Sequence, residues 1–187
     1  MTVTEILNNI YPLPAASLEK LKPLISEVGY PKGHILLRAD RIETDFYFIK
    51  KGMVRAFTKL PDNEITFWLG KEGDAVLSMR SYVAHEKGYE DIELLEDSEL
   101  YVLKTKDLQA LYEQDIHIAN WGRKFAELEL IRTEQRLISR QCRTALVRYK
   151  ELLENNPDIL QRVPLGHIAS YLGITQVTLS RIRREIK

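Results

Sequence analysis

One cysteine, Cys142, stands in the whole chain, so no intrachain disulfide can form. Four histidines are scattered along it, and they give no common zinc-ligand spacing. No run of about 18 apolar residues occurs, so no membrane span is expected. The opening stretch MTVTEILNNIYPLPAAS has no basic segment leading into an apolar one, and no secretory signal is expected either. Repeats and low-complexity tracts are lacking as well. These absences leave a cytoplasmic protein with no membrane partner, no metal and no other cofactor as the expectation.

Net charge is also missing, with 27 basic against 27 acidic residues. The balance conceals an asymmetry: residues 140–187 carry nine Lys and Arg against four acids, leaving 18 and 23 elsewhere. A basic tail on an acidic body suits a polyanionic partner for the tail alone.

What is present is the composition of a folded chain, 187 residues long with 44% hydrophobic and 29% charged, enough for one large or two small domains. Residues 4–28 read as short helices. SLEKLKPLISEV puts Leu18, Leu21, Leu24, Ile25 and Val28 on one face, with Ser17 as N-cap. From about 30 to 104, short apolar runs (HILLRA, DFYFIKKGMVRAFTKL, ITFWLG, AVLSM, DIELLE, ELYVLK) alternate with turn signals such as YPKG, LPDNE, GKEGD and HEKG. That spacing predicts an antiparallel sandwich or barrel, with LPDNE as a hairpin turn. Helical periodicity then takes over: TKDLQALYEQ, a long helix over roughly 115–138, another over about 139–154 ending at Asn155-Asn156-Pro157, and two more near 165–172 and 176–187. On the long helix Trp121, Phe125, Leu128, Ile131 and Ile138 share a stripe. It suits either packing on the β domain or a two-fold seam with a second copy.

The final stretch PLGHIASYLGITQVTLSRIRREIK is the most informative. Leu165, Ile168, Ala169 and Leu172 follow i, i+3, i+4, i+7, and Gly173 can end that helix in a left-handed conformation. Ile174 plugs the turn, and Thr175 can cap the next helix. In that helix Leu179, Ile182 and Ile186 share the buried side. Val177, Ser180, Arg181 and Arg184 face outward, flanked by Gln176, Thr178 and Lys187. Two short helices, a three-residue turn and a basic, hydroxyl-bearing outer face make a helix-turn-helix. Arg can give two hydrogen bonds to guanine, while Ser, Thr and Gln reach phosphates or base edges.

IASYLGITQVTLSRIRR resembles the helix-turn-helix of the Crp–Fnr superfamily of bacterial transcription regulators, relatives of the cyclic-AMP receptor protein. The segment order is similar too. YPKGHILLRADRIETDFYFIKKGMVRAF resembles the family's entry into its paired strands, with Lys50, Lys51 and Gly52 in the usual hairpin, and GKEGDAV resembles the Gly-Asp turn before the ligand site. The resemblance implies an α+β chain. An antiparallel β-roll (a jelly-roll of the cyclic-nucleotide-binding type) with N-terminal helices would span 1–112, a dimerisation helix 113–138 and a (winged) helix-turn-helix DNA-binding domain 139–187. It implies a homodimer reading a pseudo-palindromic operator in double-stranded DNA, with contact to RNA polymerase and a small-molecule effector, or none. Base-reading positions fall on Gln176, Val177 and Arg181, with Thr175, Thr178, Ser180 and Arg184 alongside. Trp121, Phe125, Leu128 and Ile131 fall on the dimer interface.

The sequence departs from the family in three places. Val177 stands where the cyclic-AMP receptor group has an acid that accepts from cytosine. Valine can touch a thymine methyl instead, which implies a different operator. In the nucleotide cassette, the family's Gly-Glu becomes Leu77 and Ser78, and its Arg-Ser-Ala becomes Gly88, Tyr89 and Glu90. The phosphate-binding Arg is absent and an acid stands close by, so cyclic AMP is not expected in the usual mode. Many members continue into a β-hairpin wing, whereas this sequence stops at Lys187; the wing is reduced in this subgroup or the sequence is truncated. Lost wing contacts would lower affinity and the salt slope.

Iron–sulfur sensing needs more cysteines than Cys142, while haem could use only His34, His85 or His117, and an anionic ligand Arg38 or Arg80. A cupin-like metal enzyme would need clustered histidines, and His34 and His85 stand apart. No catalytic residue, and hence no enzyme, is expected. A ligand-sensing scaffold that has lost DNA binding is the remaining alternative.

Overall fold

The run DFYFI shows no in–out alternation because its strand is buried on both faces. In the computed structural model, which describes residues 1–186, this strand is β3 (Asp45–Lys51). Phe46 and Phe48 pack among helices, whereas Tyr47 and Ile49 join the core shared by two sheets. One sheet has the order β1 (Ser26–Tyr30), β8 (Ser98–Lys104), β3, β6 (Ala75–Val76). The other runs β2 (Ile35–Leu37), β7 (Asp91–Leu94), β4 (Val54–Lys59), β5 (Glu64–Gly70). Every pairing is antiparallel, giving the expected β-roll. LPDNE forms the β4–β5 hairpin, with Leu60 N–H donating to the Asn63 carbonyl at 2.7 Å.

Lys50-Lys51-Gly52 does not make a hairpin. β3 and β4 lie in different sheets, and Gly52 carries the chain from one to the other. Its φ is +134°, and a Cβ there would stand 2.2 Å from Ser98 Oγ, so a side chain is refused by both backbone and space.

The N-terminal helices also differ from expectation. α1 (Val3–Ile10) is closed by a reciprocal capping box between Thr2 and Glu5. α2 (Ala15–Leu21) gives way to a 3₁₀ turn containing Pro23, which lacks the N–H needed to continue an α-helix. Val28 therefore sits in edge strand β1, opposite Leu100. Ser17 lies inside α2 instead of capping it, and its hydroxyl lies 3.1 Å from both carboxylate oxygens of Asp115. A short helix, α3 (Met79–Ala84), follows β6; it begins at the last residue of the AVLSM run read as a strand, and no helix was expected there.

After α4 (Thr105–Gln114), Asp115 caps α5 (Ile116–Cys142), accepting the N–H of His117 at 3.0 Å. Lys20 foremost, with Ser17 and the helix N–H groups, holds the Asp115 carboxyl down at about 2 against its burial. One carboxylate thus ties α2 to the start of the long helix. α5 runs a turn beyond its expected end at 138. The next helix, α6 (Ala145–Asn155), starts from a Thr144 cap rather than near 139. α7 (Ile159–Arg162), α8 (Leu165–Leu172) and α9 (Gln176–Glu185) complete the chain.

The C-terminal helices share one core of Tyr149, Leu152, Ile159, Val163, Ile168, Ala169, Leu172, Leu179 and Ile182, which also takes in Met53 and Leu95 from the β-roll. The helical unit is therefore docked on its own β-roll. Ser170 accepts the Thr66 N–H at 2.9 Å and donates to the Glu64 carbonyl at 3.1 Å. Arg55 links Glu93, Glu64 and His167 at 2.7, 2.8 and 3.1 Å. Arg162 binds Glu72 at 2.7 Å, Glu96 at 2.5 Å and Asp158 at 3.1 Å.

Candidate functional site

Gly173 ends α8 with φ +68° and ψ +36°, the left-handed geometry that glycine adopts without steric cost. Its N–H donates to the Ser170 carbonyl at 3.0 Å, and the Ile174 N–H donates to that of Ala169 at 3.0 Å. Two residues after Gly173, the Thr175 hydroxyl accepts the Thr178 N–H at 3.1 Å and caps α9. Such a cap contributes about 1 kcal/mol. The turn from Gly173 to Thr175 is the one expected.

α9 buries Leu179 and Ile182 in the helical core. Each such burial stabilises by about 1.5–3 kcal/mol, and two residues three apart fix the helix's rotation. Gln176, Val177, Arg181 and Arg184 are exposed, with Val177 at 71%. Thr175 is exposed at the cap, Thr178 and Ser180 are half-buried, and the Thr178 hydroxyl lies 2.9 Å from that of Thr175. Ile186 departs from expectation: α9 stops at Glu185, and Ile186 is exposed rather than buried. The flank assigned to Lys187 lies outside the described residues.

The long helix corrects two other expectations. Trp121 is completely buried, its indole N–H donating to the Leu7 carbonyl at 2.9 Å, and Phe125 stacks on it. Both belong to the core under the β-roll, and neither is available to a second copy, because their face of α5 is occupied by β3 and α1. Leu128 is half-buried and Ile131 exposed. Leu130, Ile131, Leu137 and Ile138 are all exposed; at 100° per residue Leu130 and Leu137 lie on the side opposite Trp121, and Ile131 and Ile138 on the flank between.

In the β-roll, Ser78, Gly88 and Glu90 come together: a Cβ on Gly88 would stand 2.6 Å from Ser78 Oγ and 3.3 Å from both Glu90 carboxylate oxygens. Ser78 and Glu90 are buried, Leu77 packs on the helix-facing core, and Tyr89 is exposed. The Glu90 carboxylate accepts the Tyr89 N–H at 3.0 Å and has no cation within 4.0 Å among the described residues. Arg80 pairs with Glu86 at the surface, and the Arg38 N–H donates to Glu43. His34 stacks on Tyr30, His85 takes a left-handed turn after α3, and His117 begins α5. Among the described residues no three His, Cys, Asp or Glu form a metal-holding group, and no helix is long and apolar enough to cross a membrane.

Sequence reasoning missed the docking residues Arg55, Arg162, His167 and Ser170, whose partners across the β-roll contact lie 66 to 112 positions away. It also missed a basic cleft between α5 and the C-terminal helices, lined by Lys71, Arg136, Arg140 and Arg148 among others. The arginines at 132, 136, 140 and 143, spaced by three and four, were the available signal.

Residues 27–115 match the family model of the cyclic nucleotide-binding domain. No curated protein matches the chain. Among solved structures it is similar to FixK2 from Bradyrhizobium japonicum, with 19% identity, a TM-score of 0.76 and coverage of 87% of this chain and 84% of that one. It is similar to CLP, a c-di-GMP responsive global regulator from Xanthomonas campestris, with 16% identity, a TM-score of 0.72 and coverage of 92% and 91%. A protein assigned to the crp/fnr transcriptional regulators of Eubacterium rectale gives 17% identity, a TM-score of 0.73 and coverage of 95% and 87%. At these identities the likeness is one of fold.

Proposed function

From a β-roll of the cyclic nucleotide-binding type followed by the helical fold of the crp/fnr regulators, we propose that this chain is a sequence-specific DNA-binding transcription regulator. It acts as a homodimer in the cytoplasm and has no catalytic activity. The observation that carries the reading is α9. Leu179 and Ile182 anchor it, and Gly173 and Thr175 set its start. Gln176, Val177, Arg181 and Arg184 are left outward with no structural partner among the described residues. A helix held rigidly by one face and bearing free Arg on the other fits a major groove. Arg181 is the proposed reader of guanine, Gln176 and Val177 read neighbouring bases, and Thr175, Thr178, Ser180 and Arg184 meet the backbone.

The proposed dimer seam lies along the exposed side of α5, through Ile131 with Leu130, Leu137 and Ile138, and Leu128 at its margin. Effector binding differs from the cyclic-AMP mode, because buried Glu90 would face the phosphate with no arginine to offset it. Contact with RNA polymerase belongs to the same reading.

Arg181→Ala and Arg184→Ala test it through retention on genomic DNA fragments. Arg181→Ala should cost about 1–3 kcal/mol of affinity and relax specificity at one base pair, whereas Arg184→Ala should weaken all sequences evenly. Unchanged retention in both would reassign α9 to protein contacts.

A further inference from the structure

Steps of three and four residues keep Arg132, Arg136, Arg140 and Arg143 on one side of α5. That side looks toward α6 and α8, away from the exposed Leu130–Leu137 side. Between these helices lies a cleft of about 910 Å³, completed by Lys71 from the loop after β5, Arg148 from α6 and Tyr171 from α8. Its size falls among cavities that hold small molecules.

Six cations line this cleft and one carboxylate, Glu151, which pairs with Arg143. Arg132 is engaged by Glu129 and Asp74. Lys71, Arg136, Arg140 and Arg148 have no carboxylate within 4.0 Å among the described residues. Arg148 is the most telling. It is half-buried, its Nε is enclosed without a partner, and its Nη atoms donate to the carbonyls of Arg143 at 2.6 Å and Leu172 at 2.7 Å. Two carbonyl dipoles do not neutralise a guanidinium, and sheltering an uncompensated cation is unfavourable unless an anion joins it. Guanidinium forks match phosphate oxygens in charge and shape.

We propose that this cleft binds a small molecule carrying a phosphate or diphosphate group, at a site separate from the β-roll pocket. A DNA backbone is the weaker fit, because the cleft is concave, walled by the chain itself, and lined by none of Gln176, Val177 or Arg181. The Nη2 of Arg148 holds the last carbonyl of α8, one residue before Gly173. A ligand that draws on Arg148 therefore acts on the turn that aims α9.

The test is calorimetric titration of inorganic pyrophosphate into the full chain without DNA, so it stands or falls apart from the reading of α9. The expected result is one site per chain, weakened at least about tenfold by Arg136→Ala with Arg140→Ala and unaltered by Arg181→Ala. Thermal unfolding of each variant separates lost binding from lost fold, and Lys71→Gln, on a different element, supplies an independent loss. Absence of pyrophosphate binding by the intact chain overturns the proposal, as does binding that ignores these substitutions. So does a double variant that weakens only duplex binding, which would make the cleft a DNA-backbone contact.

Discussion

Gly173 controls more than its own backbone. At φ +68° a residue with a Cβ is strained by about 1–2 kcal/mol, and the β-branched valine suffers most. Gly173→Val should lower unfolding stability by about that amount, read from denaturant midpoints. It should also weaken operator binding by more than the stability loss explains, because the turn aims α9. Equal binding by the folded variant would show that the turn's geometry is not what positions the helix. Thr175 and Leu179 were legible for the same reason: capping and periodicity act within a few residues. Trp121 was not legible, because an apolar stripe on a helix looks alike whether it faces a sheet of the same chain or a second copy.

At the scale of elements, α8 docks on β5 through contacts that sequence spacing does not reveal. Ser170 binds a strand backbone, and His167 accepts from Arg55 only while its ring nitrogen is free. Burial first, and the Arg55 charge second, hold the His167 imidazole below its ordinary 6.5, outweighing the opposite pull of Glu93 and Glu64. A depressed histidine stabilises the fold above that value, and the contribution is lost as pH falls below it. Thermal stability should therefore decline from pH 7 toward 5, and His167→Gln should flatten that decline; an unchanged slope would remove His167 from the docking account. A second loss belongs lower. Burial raises the Glu72 carboxyl, but Arg162 and the Gly52 N–H prevail and bring it to about 2, so this contact weakens only as pH drops from about 4.5 toward 2. α5 carries a separate prediction: Leu130→Glu with Leu137→Glu should give a monomer by sedimentation, with the β-roll core intact because Trp121 and Phe125 point the other way. An unaltered mass would place any dimer contact elsewhere.

Across the whole molecule, the succession of strand-like and helical segments along the chain was largely readable from hydrophobic period and turn residues, from LPDNE to the Asn155-Asn156-Pro157 stop, whereas the order of strands within the sheets was not. The sheet change at Gly52 was not, since a Gly turn between two strands reads the same whether they pair or part. Edge strand β1 was hidden because SEVGY continues the helical spacing of the residues before it, and only pairing with β8 decides otherwise. The relation of the helical unit to the β-roll was beyond reach, since it rests on Met53, Leu95, Arg55 and Arg162 meeting partners far away in sequence. The resulting architecture presents α9 outward from a body that holds its other face, which is the central claim. Its most direct measurement is selection of bound duplexes from a random pool at stated salt. A two-fold site with half-sites about one helical turn apart is predicted, with a base preference that Arg181→Ala relaxes. Recovery of no enriched sequence would contradict the account.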